Sequence, residues 1–245
     1  MVYVDSHTHL YDMRKGYALP PDIYPVIVGY SHGSNRKAVD TAKAGGFPFA
    51  LGIAPQTTIK NGTAQLEEWV DFIRASRPNA IGEVGLDYKW AQNSAQVEGE
   101  KLVFGRMVAL AKEMNLPLVI HSRDKPDTNN ENGVPNDAVG DILGMISGTR
   151  FLMHFYSGTA EQAARIVGMG GMISVAHMRS KERRKVINTV PLDRLLIESD
   201  SPYVGMAPET VRDAAAYIAE VKGIGAGEVA DATARNAMGF FNFRL

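Results

Sequence analysis

The strongest constraint on the fold of this chain is a repeated alternation of short apolar runs with longer amphipathic segments. The eight apolar runs span residues 2–5, 25–30, 47–53, 80–85, 117–121, 150–154, 171–175 and 195–200. Segments with helical periodicity follow them, and several begin at Ser or Thr and end at Gly, Asn or Pro. Continuous apolar runs of this kind are typical of parallel strands that are buried on both faces. The pattern predicts an α/β fold, a (β/α)8 TIM-like barrel with residues 1–245 in a single domain, and leaves a doubly wound open sheet as the alternative.

Composition narrows the function classes without choosing one. The chain has 245 residues, 45% of them hydrophobic, and no cysteine, so any metal must be held by nitrogen and oxygen ligands. A formal net charge of -1 argues against binding of nucleic acid through bulk charge. No apolar run approaches the length of a membrane span, and the first residues lack the pattern of a signal peptide. We therefore expect a cytoplasmic protein that does not bind membranes, and we predict no protein partner.

Two histidines stand directly after the first apolar run, in the stretch VYVDSHTHLYD at residues 2–12. Because successive strand residues point to opposite faces, His7 and His9 point the same way if the first strand ends here. Two imidazoles on one side can share a metal ion, although a His-x-His pattern alone is weak evidence for one.

Four more polar residues stand where other predicted strands end. Glu83, His121, His154 and Asp200 close the fourth, fifth, sixth and eighth apolar runs. Since active sites of such barrels are built from the C-terminal ends of strands, these side chains are expected to converge with the two histidines. The alternative is that each is a polar residue satisfied at its own strand end. That alternative is strained for all six together, because buried carboxylates and imidazoles without partners are costly.

The six residues suit a pair of divalent metal ions. In this hypothesis Glu83 bridges both ions, His7, His9 and Asp200 complete one site, and His121 and His154 complete the other. Zn, Mn, Mg, Fe, Co and Ni are not distinguished, because imidazole and carboxylate ligands suit these metals to overlapping degrees. Two carboxylates offset only half of the charge of two divalent ions, so the pocket would attract an anionic substrate.

Two neighbouring metal ions favour hydrolysis of phosphate esters. They stabilise the attacking and leaving oxygens and lower the pKa of a water molecule between them. Asp200 is the expected general base for this two-metal-activated water, and Glu83 is the second predicted catalytic residue.

Five segments of the sequence, in order along nearly the whole chain, carry a family resemblance. They read DSHTHL, IGEVGLDY, LAKEMNLPLVIHSR, HFYSG and ESDSPY. With them the chain resembles the TatD-type metal-dependent deoxyribonucleases of the amidohydrolase superfamily. The resemblance implies a TIM-like barrel, the metal roles given above, and hydrolysis of phosphodiester bonds in DNA, with the 3′ ends of single strands favoured. DNA is therefore the predicted substrate.

Further residues are predicted around this centre. The resemblance points to Arg123 as a phosphate contact. Tyr88 and Trp90, in the loop after the fourth strand, are candidates for stacking on a base, or for packing the loop against the barrel rim. Asp87 and Glu198 are expected to orient metal ligands from behind. His177, after the seventh strand, is a further candidate substrate contact.

The chain departs from the family pattern after its third predicted strand. The resembled family usually carries a Gly-x-His-Pro-His type motif there, whereas this chain reads GIAPQ, with Ala54 and Gln56 in place of imidazoles. His177 is one candidate to compensate for Ala54. The departure leaves the predicted metal ligands intact and puts the substrate contacts in question.

Two other functions remain as alternatives. The first is an amidohydrolase-like enzyme that uses the same site on a small ester, lactone or amide, which the missing histidines favour. The second is a non-catalytic, metal-dependent module that binds nucleic acid, against which the retention of all six predicted ligands argues.

Overall fold

A computed structural model describes residues 1–126 and 132–245. In this part of the chain the sheet has eight strands, all parallel. They are β1 (Tyr3–Thr8), β2 (Ile23–Val28), β3 (Phe49–Leu51), β4 (Ala80–Asp87), β5 (Leu118–Arg123), β6 (Phe151–Met153), β7 (Met172–Val175) and β8 (Leu195–Ile197). Each of the eight apolar runs overlaps one strand, which confirms the predicted strands.

Helices separate most of the strands and form the outer layer. They are α1 (His32–Gly45), α2 (Pro55–Asn61), α3 (Leu66–Ser76), α4 (Ser94–Met114), α5 (Ala138–Met145), α6 (Ala160–Gly168), α7 (Lys181–Thr189), α8 (Val211–Lys222) and α9 (Ala226–Phe241). Side chains cap several of them as the sequence predicts: the hydroxyls of Ser31 and Thr159 accept hydrogen bonds from the third residue of α1 and α6. The short helix α2, which begins at Pro55, has no counterpart in the predicted helical segments.

The strands follow one another in chain order around a barrel. Neighbouring strands pair from β1 through β8, and a parallel bridge between Thr8 and Ser201 brings the end of β8 to β1. Serine and aspartate side chains support this closure, since Asp5 accepts hydrogen bonds from both the backbone and the hydroxyl of Ser199. The (β/α)8 TIM-like barrel is therefore confirmed, and the open-sheet alternative is wrong.

The hydrophobic core has two parts. One cluster contains buried residues from all eight strands, so it fills the interior of the barrel. Phe240 and Phe241 at the end of α9 belong to this cluster. The second cluster lies between the strands and the outer helices. With α9 packed against the start of the strands, the opposite, C-terminal end of the barrel is available for a site.

No helix within residues 1–126 and 132–245 is long and apolar enough to cross a bilayer. This agrees with the sequence, in which no apolar run approaches that length.

Glu100 of α4 carries a buried carboxyl group against the end of β4. Its Oε2 accepts a hydrogen bond from the backbone of Asp87 over 3.1 Å, and burial raises the pKa of Glu100 from its ordinary value of 4.5 to about 8. Between about pH 4.5 and pH 8 the carboxyl group of Glu100 therefore keeps its proton in the folded protein and loses it in the unfolded chain. The stabilisation from this group is complete below about pH 4.5 and is lost as the pH rises to about 8.

Replacing Glu100 by Gln should remove this loss. We expect the melting temperature of Glu100→Gln to approach that of the wild type at pH 5 and to exceed it by several degrees at pH 8, since 1 kcal/mol corresponds to roughly 2–4 °C in a domain of this size. Thermal unfolding followed by circular dichroism in chelator-containing buffer measures the difference. Glu98→Gln, at an exposed position of the same helix, is the matched control. A difference between Glu100→Gln and wild type that is equal at both pH values would contradict the buried-proton account.

Candidate metal centre

A pocket of about 450 Å³ opens at the C-terminal end of the barrel. Its wall combines imidazole and carboxylate groups with aromatic and small side chains. The lining residues are His9, Tyr30, Ala54, Gln56, Glu83, Trp90, His121, Arg123, His154, Phe155, Asp200, Tyr203 and Val204. Five of the six predicted metal ligands are in this list, and the sixth, His7, is fully buried beside them.

Backbone hydrogen bonds bring Asp200 to the two N-terminal histidines. The Asp200 amide donates to the carbonyl of His7 over 2.9 Å, and the His9 amide donates to the carbonyl of Ser201 over 2.8 Å. Asp200 itself adopts a left-handed backbone with φ of 48°, a conformation that aspartate tolerates better than most residues. The closure between β8 and β1 therefore places Asp200 against His7 and His9, which stand 193 and 191 positions earlier in the sequence.

Glu83 lies inside β4 and not at its end, which corrects the predicted position. β4 continues to Asp87, and its register with β5 shifts between Ile81 and Val84. Such irregularities re-aim a side chain within a strand. Gly85 follows with φ of 141°, and a Cβ at this position would overlap the carbonyl oxygen of His121. Glycine is therefore required for β5 to approach close enough to present His121 beside Glu83.

The carboxylate of Glu83 is the centre of the cluster. Its Oε1 lies 3.2 Å from His121 Nδ1 and 3.3 Å from His154 Nε2, and its Oε2 lies 3.6 Å from His7 Nε2. Asp200 Oδ1 lies 3.3 Å from His9 Nε2 and 3.9 Å from His7 Nε2. All six side chains are buried. The convergence predicted from the strand ends is present in the structure.

Two triads have donor atoms close enough to share an ion. One is His7, Glu83 and His154, and the other is His7, His9 and Asp200; within each, the donor atoms lie within 4.8 Å of one another. His7 belongs to both triads. Among the described residues neither triad includes His121, although its Nδ1 contacts Glu83. The division of ligands between two ions that the sequence suggests stays a prediction.

The unpaired ring nitrogens test whether a metal fits. Within the described part of the chain, both nitrogens of His7 and both of His154 are buried and have no hydrogen-bond partner. An unpaired buried donor or acceptor costs about 1–3 kcal/mol, so these atoms require a partner of another kind. Burial, helped by the neighbouring His154, lowers the pKa of His7 to about 4, and the neutral imidazole is the form that binds metals. The donor set fits divalent metal ions.

The electrostatic field of the cluster also favours a cation. Burial opposes ionisation of Glu83, yet the surrounding imidazoles hold the pKa of its carboxyl group well below the ordinary value. Burial likewise opposes protonation of His121, but hydrogen bonds to Asp87 and Glu83 raise the pKa of this imidazole to about 9. Both shifts show that the carboxylates stabilise positive charge at this place.

Asp87 contacts His121 on the side away from Glu83, where a residue that orients this imidazole is expected. Its Oδ2 lies 2.8 Å from His121 Nε2 and accepts a 2.7 Å hydrogen bond from Gln56 Nε2. With Nε2 donating to this carboxylate, Nδ1, which faces Glu83, is the nitrogen that would bind a metal ion in place of its proton. The other oxygen, Oδ1, accepts from the backbone of Trp90 over 3.1 Å. The sequence identified Gln56 only as a missing histidine, whereas the structure makes it a partner of Asp87.

The other supporting contacts are less regular. His9 Nδ1 lies 2.8 Å from the carbonyl of Val28, a main-chain partner that no residue pattern reveals. Glu198 accepts a 2.7 Å hydrogen bond from Ser174 and lies 3.9 Å from His154 Nδ1. Glu198 therefore lies beside His154, at a distance longer than a hydrogen bond, and its expected role in orienting a metal ligand stays a prediction.

The predicted substrate contacts divide into three cases. Arg123 lines the pocket, and its Nε lies 3.7 Å from Asp87 Oδ2. Tyr88 is completely buried, and its hydroxyl donates to Asp141, so its predicted stacking on a base is wrong. His177 is partly buried and is not among the residues that line the pocket in the described part of the chain.

The sequence analysis missed two tyrosines in the pocket wall. Tyr30 follows β2 and Tyr203 follows β8, and their rings lie 5.2 Å and 4.9 Å from the ring of His9. Their hydroxyl groups are hydrogen-bonded to each other over 2.9 Å. The available signal was their place directly after strands, in GYSHG and SPY.

Comparison with known proteins gives one family for almost the whole chain. The family model described as "TatD related DNase" matches residues 4–242. The metal-dependent hydrolase YabD of Bacillus subtilis, which is described as uncharacterized, is 32% identical over 234 residues, covering 88% of this chain and 86% of YabD. The deoxyribonuclease TATDN3 of Homo sapiens is 33% identical over 174 residues, covering 66% of this chain and 59% of TATDN3.

A solved structure agrees in fold over the whole length. The crystal structure of YJJV, a TatD homolog from Escherichia coli, superposes with a TM-score of 0.77 and 23% identity, covering 99% of this chain and 98% of that one. At this identity the likeness supports the barrel and says nothing of the substrate.

We expect Asp87→Asn to weaken metal binding by about 10- to 100-fold, the usual cost of losing a group that orients a ligand. The amide can no longer accept two charge-assisted hydrogen bonds on one oxygen, so His121 loses its fixed orientation. Competition titration of Mn²⁺ or Zn²⁺ against a metal-sensitive dye measures the affinity. Asp71→Asn, at an exposed position of α3 where Asp71 pairs with Arg74, is the control. Equal affinities for Asp87→Asn and wild type would show that Asp87 does not position His121.

Proposed function

This chain belongs to the TatD related DNase family and is a metal-dependent hydrolase, and from that premise we propose that it is a deoxyribonuclease that cleaves phosphodiester bonds in DNA with two divalent metal ions. The observation that carries the proposal is the buried carboxylate of Glu83 among three imidazoles at the bottom of an open pocket. We infer the deoxyribonuclease activity from the relative TATDN3, which is named a deoxyribonuclease. Because the chain is a metal-dependent hydrolase, the non-catalytic alternative is set aside.

We assign both ions to the six residues that meet in the pocket. Glu83 would bridge them, His7, His9 and Asp200 would complete one site, and His121 and His154 the other. When bound, such ions supply Lewis acidity, which stabilises negative charge on phosphate oxygens and lowers the pKa of water. The short distances from Glu83 to imidazoles on β1 and β5 and after β6 support its bridging role.

Asp200 is proposed as the general base. Its carboxylate lines the pocket beside His9, whose Nε2 lies 3.3 Å away. Although burial opposes ionisation, the hydrogen bond from His9 and the nearby imidazoles lower the pKa of Asp200, so it is charged and ready to accept a proton at neutral pH. In the reaction the oxygen of water bonds to phosphorus, its proton passes to Asp200, and the phosphorus–oxygen bond to the leaving alcohol breaks. The leaving oxygen then takes up a proton.

Arg123 is proposed to hold the phosphate. It lines the same pocket as the metal ligands, and its partial exposure leaves the guanidinium accessible to a substrate. Guanidinium groups suit phosphate oxygens because their donors match two oxygens at once. A pocket of about 450 Å³ is in the range of small-ligand sites. It is therefore sized for one nucleotide of a strand, which favours single strands over a duplex, whereas the preference for 3′ ends rests on the family resemblance alone.

The first test is release of mononucleotides from 3′-labelled single-stranded DNA with added Mg²⁺, Mn²⁺ or Zn²⁺. We expect product from the wild type and none above background from Glu83→Gln, because the amide cannot balance two divalent charges. Glu113→Gln, on the exposed side of α4 where Glu113 pairs with Arg74, is the control and should match the wild type. Equal product from Glu83→Gln would remove Glu83 from the mechanism.

The role of Asp200 has its own signature. We expect Asp200→Asn to lower kcat by about 10²- to 10⁴-fold, which is the usual contribution of a general base. Single-turnover rates at saturating DNA and metal separate this effect from binding. A decrease in metal affinity that fully accounts for the lost rate would make Asp200 a ligand and not a base.

One feature favours a second candidate function, hydrolysis of a small carbon ester or lactone. Ala54 is buried and Gln56 is engaged with Asp87, so this side of the pocket offers no imidazole to a phosphate. A panel of chromogenic phosphodiester, ester and lactone substrates, with confirmed metal occupancy, distinguishes the two functions. Turnover of the carbon esters alone would replace the nuclease proposal.

A further inference from the structure

Two large aromatic side chains stand exposed at the mouth of the pocket. Trp90 and Tyr203 both line it, and each leaves 55% of its surface exposed. Large aromatic groups contribute much free energy when they are buried, and exposed apolar surface beside a pocket marks a place where a ligand docks. The exposure of both rings at one opening therefore indicates that a ligand covers them when it binds in the pocket.

The two rings come from opposite sides of the barrel. Trp90 follows β4 and Tyr203 follows β8, and three strands separate these two in either direction around the closed sheet. The same pocket is lined by five of the six proposed metal ligands. A flat group that enters this pocket therefore has an aromatic ring available from two sides of the barrel.

Hydrogen bonds hold the backbone at Trp90 and the hydroxyl group of Tyr203 before any ligand arrives. The backbone amide of Trp90 is fixed by the side chain and carbonyl of Asp87. The hydroxyl of Tyr203 donates to Asp12 over 2.8 Å and is hydrogen-bonded to Tyr30, and Asp12 pairs with Lys37. Rigid aromatic groups lose little conformational entropy on binding, so they are suited to gripping a planar ligand.

We propose that Trp90 and Tyr203 form a clamp for one unpaired nucleobase of the strand whose phosphate lies at the metal centre. The proposal rests on the proposed nuclease function. A nucleobase is the planar part of the nucleotide that carries the phosphate, and it is similar in size to an aromatic side chain. Stacking of bases on aromatic rings holds single strands without sequence preference. Arg123 and the metal ligands face the phosphate, whereas the mouth offers rings. The clamp selects unpaired bases, since a base inside a duplex is stacked on its neighbours and leaves no free face for either ring.

Abasic oligonucleotides test the clamp by kinetics. The wild type should show a higher kcat/KM for a single strand with normal terminal nucleotides than for one with abasic residues at both ends, by at least about 5-fold. Trp90→Leu and Tyr203→Leu should shrink this ratio towards one, mainly through KM. Trp90→Phe and Tyr203→Phe keep a ring and should retain most of it. Leu102→Ala, at an exposed position of α4, is the control.

The chain carries its own optical probe for the same contact. It has two tryptophans, of which Trp69 is 4% exposed and Trp90 is 55% exposed, so ligand-dependent quenching reports on Trp90. In the Asp200→Asn variant, which keeps the carboxylate of Glu83 and should cleave slowly, an oligonucleotide with normal ends should quench more strongly than the abasic one. The same titration with Trp90→Phe added gives the background from Trp69.

The outcomes separate the clamp from the nuclease function. Base-dependent quenching, together with a base preference that falls in the Leu variants and persists in the Phe variants, supports the clamp. If fluorescence anisotropy shows that a labelled strand binds, but quenching and kinetics are the same for normal and abasic ends, the clamp is wrong and the nuclease function stands. If no strand binds and none is cleaved, both are wrong.

Discussion

The buried charge of Glu83 is the constraint on which the site depends. Its carboxylate lies within 3.2–3.6 Å of three imidazoles and is almost completely shielded from water. A lone charge in such a place would cost several kcal/mol, and only positive charge at the same position offsets that cost. Protonated imidazoles can supply it, as the raised pKa of His121 shows, and divalent ions can supply more of it. The ring nitrogens of His7 and His154, unpaired among the described residues, make the ions the better partners.

The barrel is what allows so many polar groups to meet at one point. Each proposed ligand lies in a strand or within three residues of its end. The strands are packed together by the apolar cluster inside the barrel and by α9 at the N-terminal end of the barrel. Closure between β8 and β1 is equally important, because the amides of Asp200 and His9 are tied across it. A site made of six residues from five strands is thus as rigid as the sheet itself.

The sequence predicted the parts of this structure that depend on pattern, and it missed the parts that depend on contact. The eight strands and the convergence of the six proposed ligands follow from apolar periodicity interrupted by His, Glu and Asp. The place of Glu83 inside β4 was missed, because a shift of register leaves no mark in composition. Tyr88 and Trp90 are equally aromatic in the sequence. A hydrogen bond to Asp141 draws Tyr88 into the core, whereas Trp90 is left at the surface, and only the three-dimensional structure distinguishes them.

Position 56 illustrates that the proposed metal ligands and the residues that shape the rest of the pocket wall come from different parts of the barrel. The presence of Gln56 where a histidine is expected leaves the six proposed ligands in place, because they lie in strands or shortly after them, whereas position 56 belongs to the first turn of α2. Gln56 acts instead on Asp87, and the same carboxylate holds the imidazole of His121 and the backbone of Trp90. One buried group therefore links the metal centre to the rim of the pocket. Changes in the loops can alter which molecule reaches the metal while the ligands, fixed by the barrel, stay as they are.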